Sequence, residues 1–197
     1  MKHSVVQVAS DLQESSKDRT MNVTVYGAAS ENIKEEYKTT CEALGEELAR
    51  RGHTLIFGGG KNGLMGAVAR GAKKQNGEII GIAPRFFKPD GVLYEHCTDF
   101  IYTEDMRSRK ALLCEKADAI IMLPGGIGTL DEFFEVFTLN SLKQENKPIA
   151  IFNSQGYYNH LSEMLMFMAE EGFMKKEALS TLFVSDNIEE IFSFIEK

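Results

Sequence analysis

Residues 118–132 read DAIIMLPGGIGTLDE. Five consecutive apolar residues, 119–123, show no polar alternation, so a strand here has both faces buried. Pro124 stops it, a glycine-rich turn follows, and an apolar pattern of helical period runs over residues 129–144. A doubly buried strand feeding a helix through a glycine turn is the unit of a parallel sheet covered by helices.

Working outward, the same unit recurs. Residues 22–26 (NVTVY) predict a strand and lead through Gly27-Ala28-Ala29-Ser30 into a helix over 33–51. There Tyr37, Cys41, Leu44 and Leu48 repeat at spacings of three and four, and Gly52 ends the pattern. A strand at 53–57 enters Gly58-Gly59-Gly60, then a helix at 64–74 with Gly66 and Gly71 placed for close packing on a sheet. A strand at 78–83 stops at Pro84; residues 85–97 read as an irregular lid or connector; a strand at 100–103 and a helix at 105–116 follow. Downstream come a strand at 148–152, helices over 157–171 and 175–180, a strand near Phe183 and a helix from 188. Strands separated by helices imply right-handed crossovers and one α/β, doubly wound, Rossmann-like domain with a mostly parallel sheet, spanning 21–197. The polar residues 1–20 are expected to be a loosely ordered N-terminal tail.

Composition narrows the function. The 197 residues are 43% hydrophobic and 26% charged, with a net charge of -7 that disfavours nucleic-acid backbones. Three widely spaced cysteines, Cys41, Cys97 and Cys114, favour reduced thiols and a cytoplasmic setting. His3, His53, His96 and His160 fall at no metal-ligand spacing, so no metal is expected. No apolar run is long enough for a bilayer, and residues 1–20 lack the apolar core of a secretory signal, so no membrane association or export is expected.

Ligands of an open parallel sheet bind outside the carboxyl ends of its strands. Residues 27–30, 58–63, 104–109 and 124–129 all follow strands and therefore share that edge. The turn at 124–129 runs into a helix N-terminus, where free N–H groups and the dipole favour an anion such as a phosphate. GAASEN at 27–32 lacks the GxGxxG spacing of dinucleotide folds, and GGGKNGLMG at 58–66 lacks the GK[ST] of a P-loop. Arg109 lies three residues after Met106 and four before Leu113, on an apolar helix face unsuited to a solvated arginine. Glu132 has two readings: the last residue of a Thr129-Leu-Asp-Glu132 capping box, or a site carboxylate kept ionised by the helix dipole. Asp131 reads as a surface carboxylate complementing the dipole, and Glu135 as either solvated or a ribose or arginine partner. Tyr157, Leu161, Met164, Leu165 and Met168 form an apolar stripe read as core first and interface second.

PGGIGTLDE at 124–132 matches the PGGxGTxxE signature of the Lonely Guy family of cytokinin-activating phosphoribohydrolases, often mislabelled lysine decarboxylases. GGGKNGLMG at 58–66, DMRSRKALL at 105–113 and KPIAIFN at 147–153 are similar to that family in order and spacing, so the resemblance runs from residue 22 to the C-terminus. It implies an enzyme that hydrolyses the N-glycosidic bond of a cytokinin riboside 5′-monophosphate or AMP, giving free base and ribose 5-phosphate. It further implies no cofactor, a homodimer, and Arg109 and Glu132 as the catalytic pair. Substrate contacts would come from Gly58, Gly59, Gly60, Arg109, Lys110, Gly125, Gly126, Ile127, Gly128, Thr129, Glu132 and Thr138. One departure is Arg107, where the family carries histidine. The alternative from another class is a non-catalytic nucleotide carrier or sensor of related fold, which has no use for a carboxylate beside the ribose. Lysine decarboxylation needs a pyridoxal-bearing lysine, and the surroundings of Lys61, Lys110 and Lys116 suggest none.

Overall fold

The computed structural model describes residues 20–197; the tail expected over residues 1–20 therefore falls, Thr20 apart, outside the described residues. The strands are β1 Asn22–Tyr26, β2 Thr54–Phe57, β3 Ile79–Pro84, β4 Asp99–Thr103, β5 Ala119–Met122, β6 Ile149–Phe152 and β7 Leu182–Ser185. The helices are α1 Glu35–Arg50, α2 Gly63–Lys74, α3 Met106–Glu115, α4 Ile127–Ser141, α5 Asn159–Glu170 and α6 Ile188–Ile195. The strands form one sheet in the order β4-β3-β2-β1-β5-β6-β7, and every pairing is parallel.

Alternation along each strand sends side chains into two cores. Val23, Val25, Leu55 and Phe57 meet Leu44 and Leu48 of α1, Leu64 and Val68 of α2, and Phe192 of α6. Tyr26, Ile56, Ile120 and Met122 meet Leu113 of α3, Phe133 and Val136 of α4, and Leu165 of α5 on the opposite face. Ile120 and Ile121 are both fully buried, as their unbroken apolar run requires. The chain winds from β1 outward to β4, then returns to place β5 on the other side of β1. The loops after β1 and β5 thus diverge and leave a crevice between them.

Local departures from the sequence expectations have physical causes. The helix expected from 129 begins at Ile127 with Gly126 as its N-cap, so Thr129 lies inside the helix and makes no capping box with Glu132. Lys176–Thr181 is a 3₁₀ helix instead of an α-helix. The connector after β3 opens with a 3₁₀ turn, Arg85–Phe87, and is stitched to the glycine turn by Lys61 N to Val92 O (2.9 Å) and Tyr94 N to Gly59 O (2.8 Å). Gly71 packs against α1, not the sheet: a Cβ there would lie 1.9 Å from Glu42 O. The apolar stripe expected over 157–168 is divided, with Leu165 of α5 buried, Met164 of α5 exposed, and Tyr157, which precedes α5, exposed.

Candidate active site

A cleft of about 370 Å³ opens at the crevice between β1 and β5. Gly126, Gly128, Thr129, Asp131 and Glu132 line it from α4 and its N-cap, Met106, Arg109 and Lys110 from α3, and residues 27–30 from the β1 loop. The N-terminus of α4 faces this space. None of the amides of Gly125, Gly126, Ile127, Gly128 and Thr129 is bonded to another part of the described chain. Five free donors and the helix dipole at one point suit an anion.

Arg109 is placed by the start of α3. Asp105 caps that helix, its Oδ1 accepting from Ser108 N (2.8 Å) and Ser108 Oγ (2.9 Å), which fixes the turn carrying the arginine. The side chain is only 8% exposed. Its Nε donates to Ile82 O (3.2 Å) and its Nη1 to Glu132 Oε1 (2.6 Å). Gly58 makes room for it, since a Cβ at that position would stand 2.0 Å from Arg109 Nη2. The apolar-face reading of Arg109 thus corresponds to a buried, oriented guanidinium.

Glu132 sits opposite, bonded to Arg109 through Oε1 alone; Oε2 accepts no hydrogen bond among the described residues. Burial pushes the Glu132 carboxyl above the usual glutamate value, while the Arg109 charge and hydrogen bond pull it back. Tyr26, at the end of β1, is buried close enough to feel the Glu132 charge, and burial first and that charge second keep its phenol protonated. Lys110 is not a free surface cation: its Nζ contacts Glu135 Oε2 (2.7 Å) and Asp131 Oδ2 (3.0 Å). Asp131 and Glu135 thereby gain a role as lysine partners.

Not every anticipated contact residue reaches this cleft. Gly58 and Gly60 line an adjoining, mainly apolar compartment of about 310 Å³ with Phe87, Val92 and Leu93, which shares Ala29, Met65, Met106 and Arg109 with the cleft. Gly59 lies under the Phe100 ring. The first amides of α2 are already engaged, Leu64 N (2.8 Å) and Met65 N (3.3 Å) both donating to Ala28 O, so this second glycine turn offers fewer free donors. Ile127 extends into solvent at 88% exposure. Thr138 is exposed, six residues beyond Glu132 and about 9 Å further along α4 at 1.5 Å per residue.

Two residues that the sequence did not assign to the site reach its loop. Tyr157 and Tyr158 lie just before α5, and their hydroxyls bond Gly125 O (2.9 Å) and Leu123 O (2.8 Å). Their signal was position: they follow β6, and so belong to the ligand-bearing edge. Among the described residues no group of three or more His, Cys, Asp or Glu is arranged to hold a metal ion. Burial lifts the Cys41 thiol to about 12 and the Cys97 thiol to about 11, so neither is a ready nucleophile.

The chain is similar to known proteins over most of its length. The family model described as possible lysine decarboxylase matches residues 65–195. A cytokinin riboside 5′-monophosphate phosphoribohydrolase of Rhodococcoides fascians is 37% identical over 169 residues, 85% of each chain. One from Arabidopsis thaliana is 33% identical, covering 93% of this chain and 85% of its own. Among solved structures, the molybdenum cofactor binding protein of Rippkaea orientalis superposes with a TM-score of 0.70 at 24% identity, covering 90% of this chain and 96% of that one. The molybdenum cofactor carrier protein of Chlamydomonas reinhardtii gives 0.66 at 20% identity, covering 89% and 95%. These two establish the shared fold. The level and extent of the sequence matches, with the Arg109–Glu132 pair set beside the free amides of the PGGIGTLDE turn, place the chain in the Lonely Guy family of phosphoribohydrolases, and it is an enzyme of that kind.

Proposed function

We propose that this enzyme hydrolyses the N-glycosidic bond of an adenine-type nucleoside 5′-monophosphate, a cytokinin riboside 5′-monophosphate or AMP, releasing the base and ribose 5-phosphate. The observation that carries the reading is a buried Arg109–Glu132 pair in the same cleft as the unbonded amides at the start of α4. The amides of residues 125–129 receive the 5′-phosphate. Arg109, fixed by Ile82 and Glu132, presents its guanidinium toward the nucleotide. Glu132 keeps Oε2 for a ribose hydroxyl or the attacking water and offsets positive charge growing at C1′. The C1′–N bond breaks as water adds its oxygen to C1′; one water proton ends on the departing base nitrogen and the other stays on the new anomeric hydroxyl of ribose 5-phosphate.

The lysine decarboxylase label has little support in the side chains. A Schiff-base lysine needs a lowered pKa. Lys110, the lysine at the cleft, has its amine raised by Glu135 first and Asp131 second, which holds it protonated. The reading also includes a cytoplasmic homodimer. Three free cysteines fit a reducing compartment, and Ile127, Phe134 and Leu142 expose apolar surface along α4.

The test is incubation of the purified protein with AMP and with isopentenyl-adenosine monophosphate, following free base by chromatography. Glu132→Gln should lower kcat by about 10²–10⁴-fold with nucleotide binding retained. Nucleotide binding without base release in the parent protein would instead favour a carrier or sensor. Sedimentation of the same preparation at twice the chain mass would support the homodimer, and at the chain mass would remove it.

A further inference from the structure

The turn between β5 and α4 has its carbonyls held one by one. Leu123 O accepts from Tyr158 Oη (2.8 Å), Pro124 O from Ala28 N (3.2 Å), Gly125 O from Tyr157 Oη (2.9 Å) and Gly126 O from Leu130 N (3.1 Å). A trans peptide is planar, with its C=O and the next N–H pointing in opposite directions. Fixing a carbonyl on one side of the turn therefore aims the following amide at the other. The 125–126 peptide is the one most in need of such fixing. It is flanked by glycine on both sides, so backbone sterics impose little preference on its orientation. Its amide is that of Gly126, which lines the cleft and bonds to nothing else in the described chain.

We propose that Tyr157 is a positioning residue: its hydroxyl holds the Gly125–Gly126 peptide so that the Gly126 N–H stays turned toward the anion. This rests on reading the cleft as a phosphate site. The tyrosine is itself well seated. Its ring meets Tyr37 edge-on at 6.1 Å between centroids, and together they line a small cavity of about 220 Å³ behind the turn. Behind it, a 3₁₀ turn at Ser154–Gly156 carries Gln155 at φ 57° and Gly156 at φ 69°, and Asn153 Oδ1 accepts from Tyr158 N (2.7 Å). That sharp turn brings two adjacent hydroxyls to alternate carbonyls of the loop. Tyr158 is buried, so its hydroxyl also satisfies a carbonyl in the core. Tyr157 is 46% exposed, so the hydroxyl lies at the boundary between the buried Gly125 and solvent and, unlike that of Tyr158, is not enclosed in the core.

Tyr157→Phe keeps the ring and removes only the latch. A single hydrogen bond of ordinary strength predicts an about three- to tenfold weaker binding of inorganic phosphate and of ribose 5-phosphate by calorimetry. KM for AMP should rise by the same factor with kcat nearly unchanged, while adenosine binding and the melting temperature stay at parent values. Phosphate binding equal to that of the parent protein would overturn the proposal and leave the phosphoribohydrolase reading intact. Equal weakening of AMP and adenosine, with a lower melting temperature, would overturn it too, by making the tyrosine a packing residue. A parent protein that binds neither phosphate nor AMP would overturn both readings together.

Discussion

Glu132 is a carboxylate pulled in opposite directions. Burial raises its proton affinity and is the largest influence; Arg109 lowers it by charge and by a hydrogen bond, Asp131 raises it, and Lys110 lowers it. The net direction is upward, so the carboxyl stays protonated at pH values where an exposed glutamate has ionised. Folding then takes up a proton between the ordinary glutamate value and the raised one, and this group's contribution to stability falls as pH rises through that window. In the proposed reaction Glu132 acts in its ionised form, so the acid limb of kcat/KM against pH should lie above the usual glutamate value. Asp131→Asn removes a neighbouring negative charge and should move that limb to lower pH; a limb that stays put would mean Glu132 is not the titrating group. Arg109 was legible in the sequence because a lone cation on an apolar helix face is costly without a partner. Glu132 was legible only through the resemblance, since the TxxE spacing alone favoured a cap, and that cap does not form. Tyr157 was hidden: in a stripe of apolar residues its ring looks like core, and nothing local says that its hydroxyl reaches a loop 32 residues away.

At the scale of elements, α1 and α2 form the pair that carries Met65 to the cleft. They touch backbone to backbone. A Cβ added to Gly45 of α1 would stand 2.1 Å from Val68 O, and one on Gly71 of α2 would stand 1.9 Å from Glu42 O. Two glycines, one on each helix, therefore set the interhelical distance. Gly45→Ala is favoured by helix propensity but cannot be accommodated without moving α2, so it should destabilise by about 1–3 kcal/mol in urea unfolding. It should also raise KM, because α2 begins with the amides that hold Ala28 O at 2.8 Å and 3.3 Å. A variant at least as stable as the parent would show that the helices slide freely. The elements themselves were readable because strand and helix periods alternate cleanly from β1 to α4. The helix–helix role of Gly71 was not, since a glycine in a helical pattern names a close approach without naming the partner.

Over the whole molecule, the proposed chemistry and an ionic stabilising cluster occupy opposite edges of the sheet. The carboxyl edge carries the cleft, with open amides and a half-satisfied carboxylate. The amino edge carries an ionic cluster centred on Arg51, the residue after α1. Its Nε meets Glu47 Oε1 at 2.5 Å, its Nη2 meets Glu189 Oε2 at 2.5 Å, and its Nη1 meets Glu196 Oε2 at 2.9 Å. His53 Nε2 lies 2.9 Å from Glu196 Oε1, and its Nδ1 accepts from Met21 N at 3.4 Å, which places the ring proton on Nε2. The Arg51 guanidinium also lies 4.9 Å from the Phe192 ring centroid. This cluster ties the C-terminal ends of α1 and α6 to the segment that enters β2. Removing one partner of a fully buried pair costs about 3–5 kcal/mol, and partial exposure of Arg51 reduces that by solvent screening. Arg51→Ala should therefore lower unfolding free energy by about 2 kcal/mol, with the melting temperature falling accordingly. Because the cluster sits at the amino ends of the strands, kcat/KM at 25 °C should remain at the parent value. A matching loss of activity in protein that is still folded would mean that α6 is coupled to the cleft through the sheet, and that the two edges do not act independently.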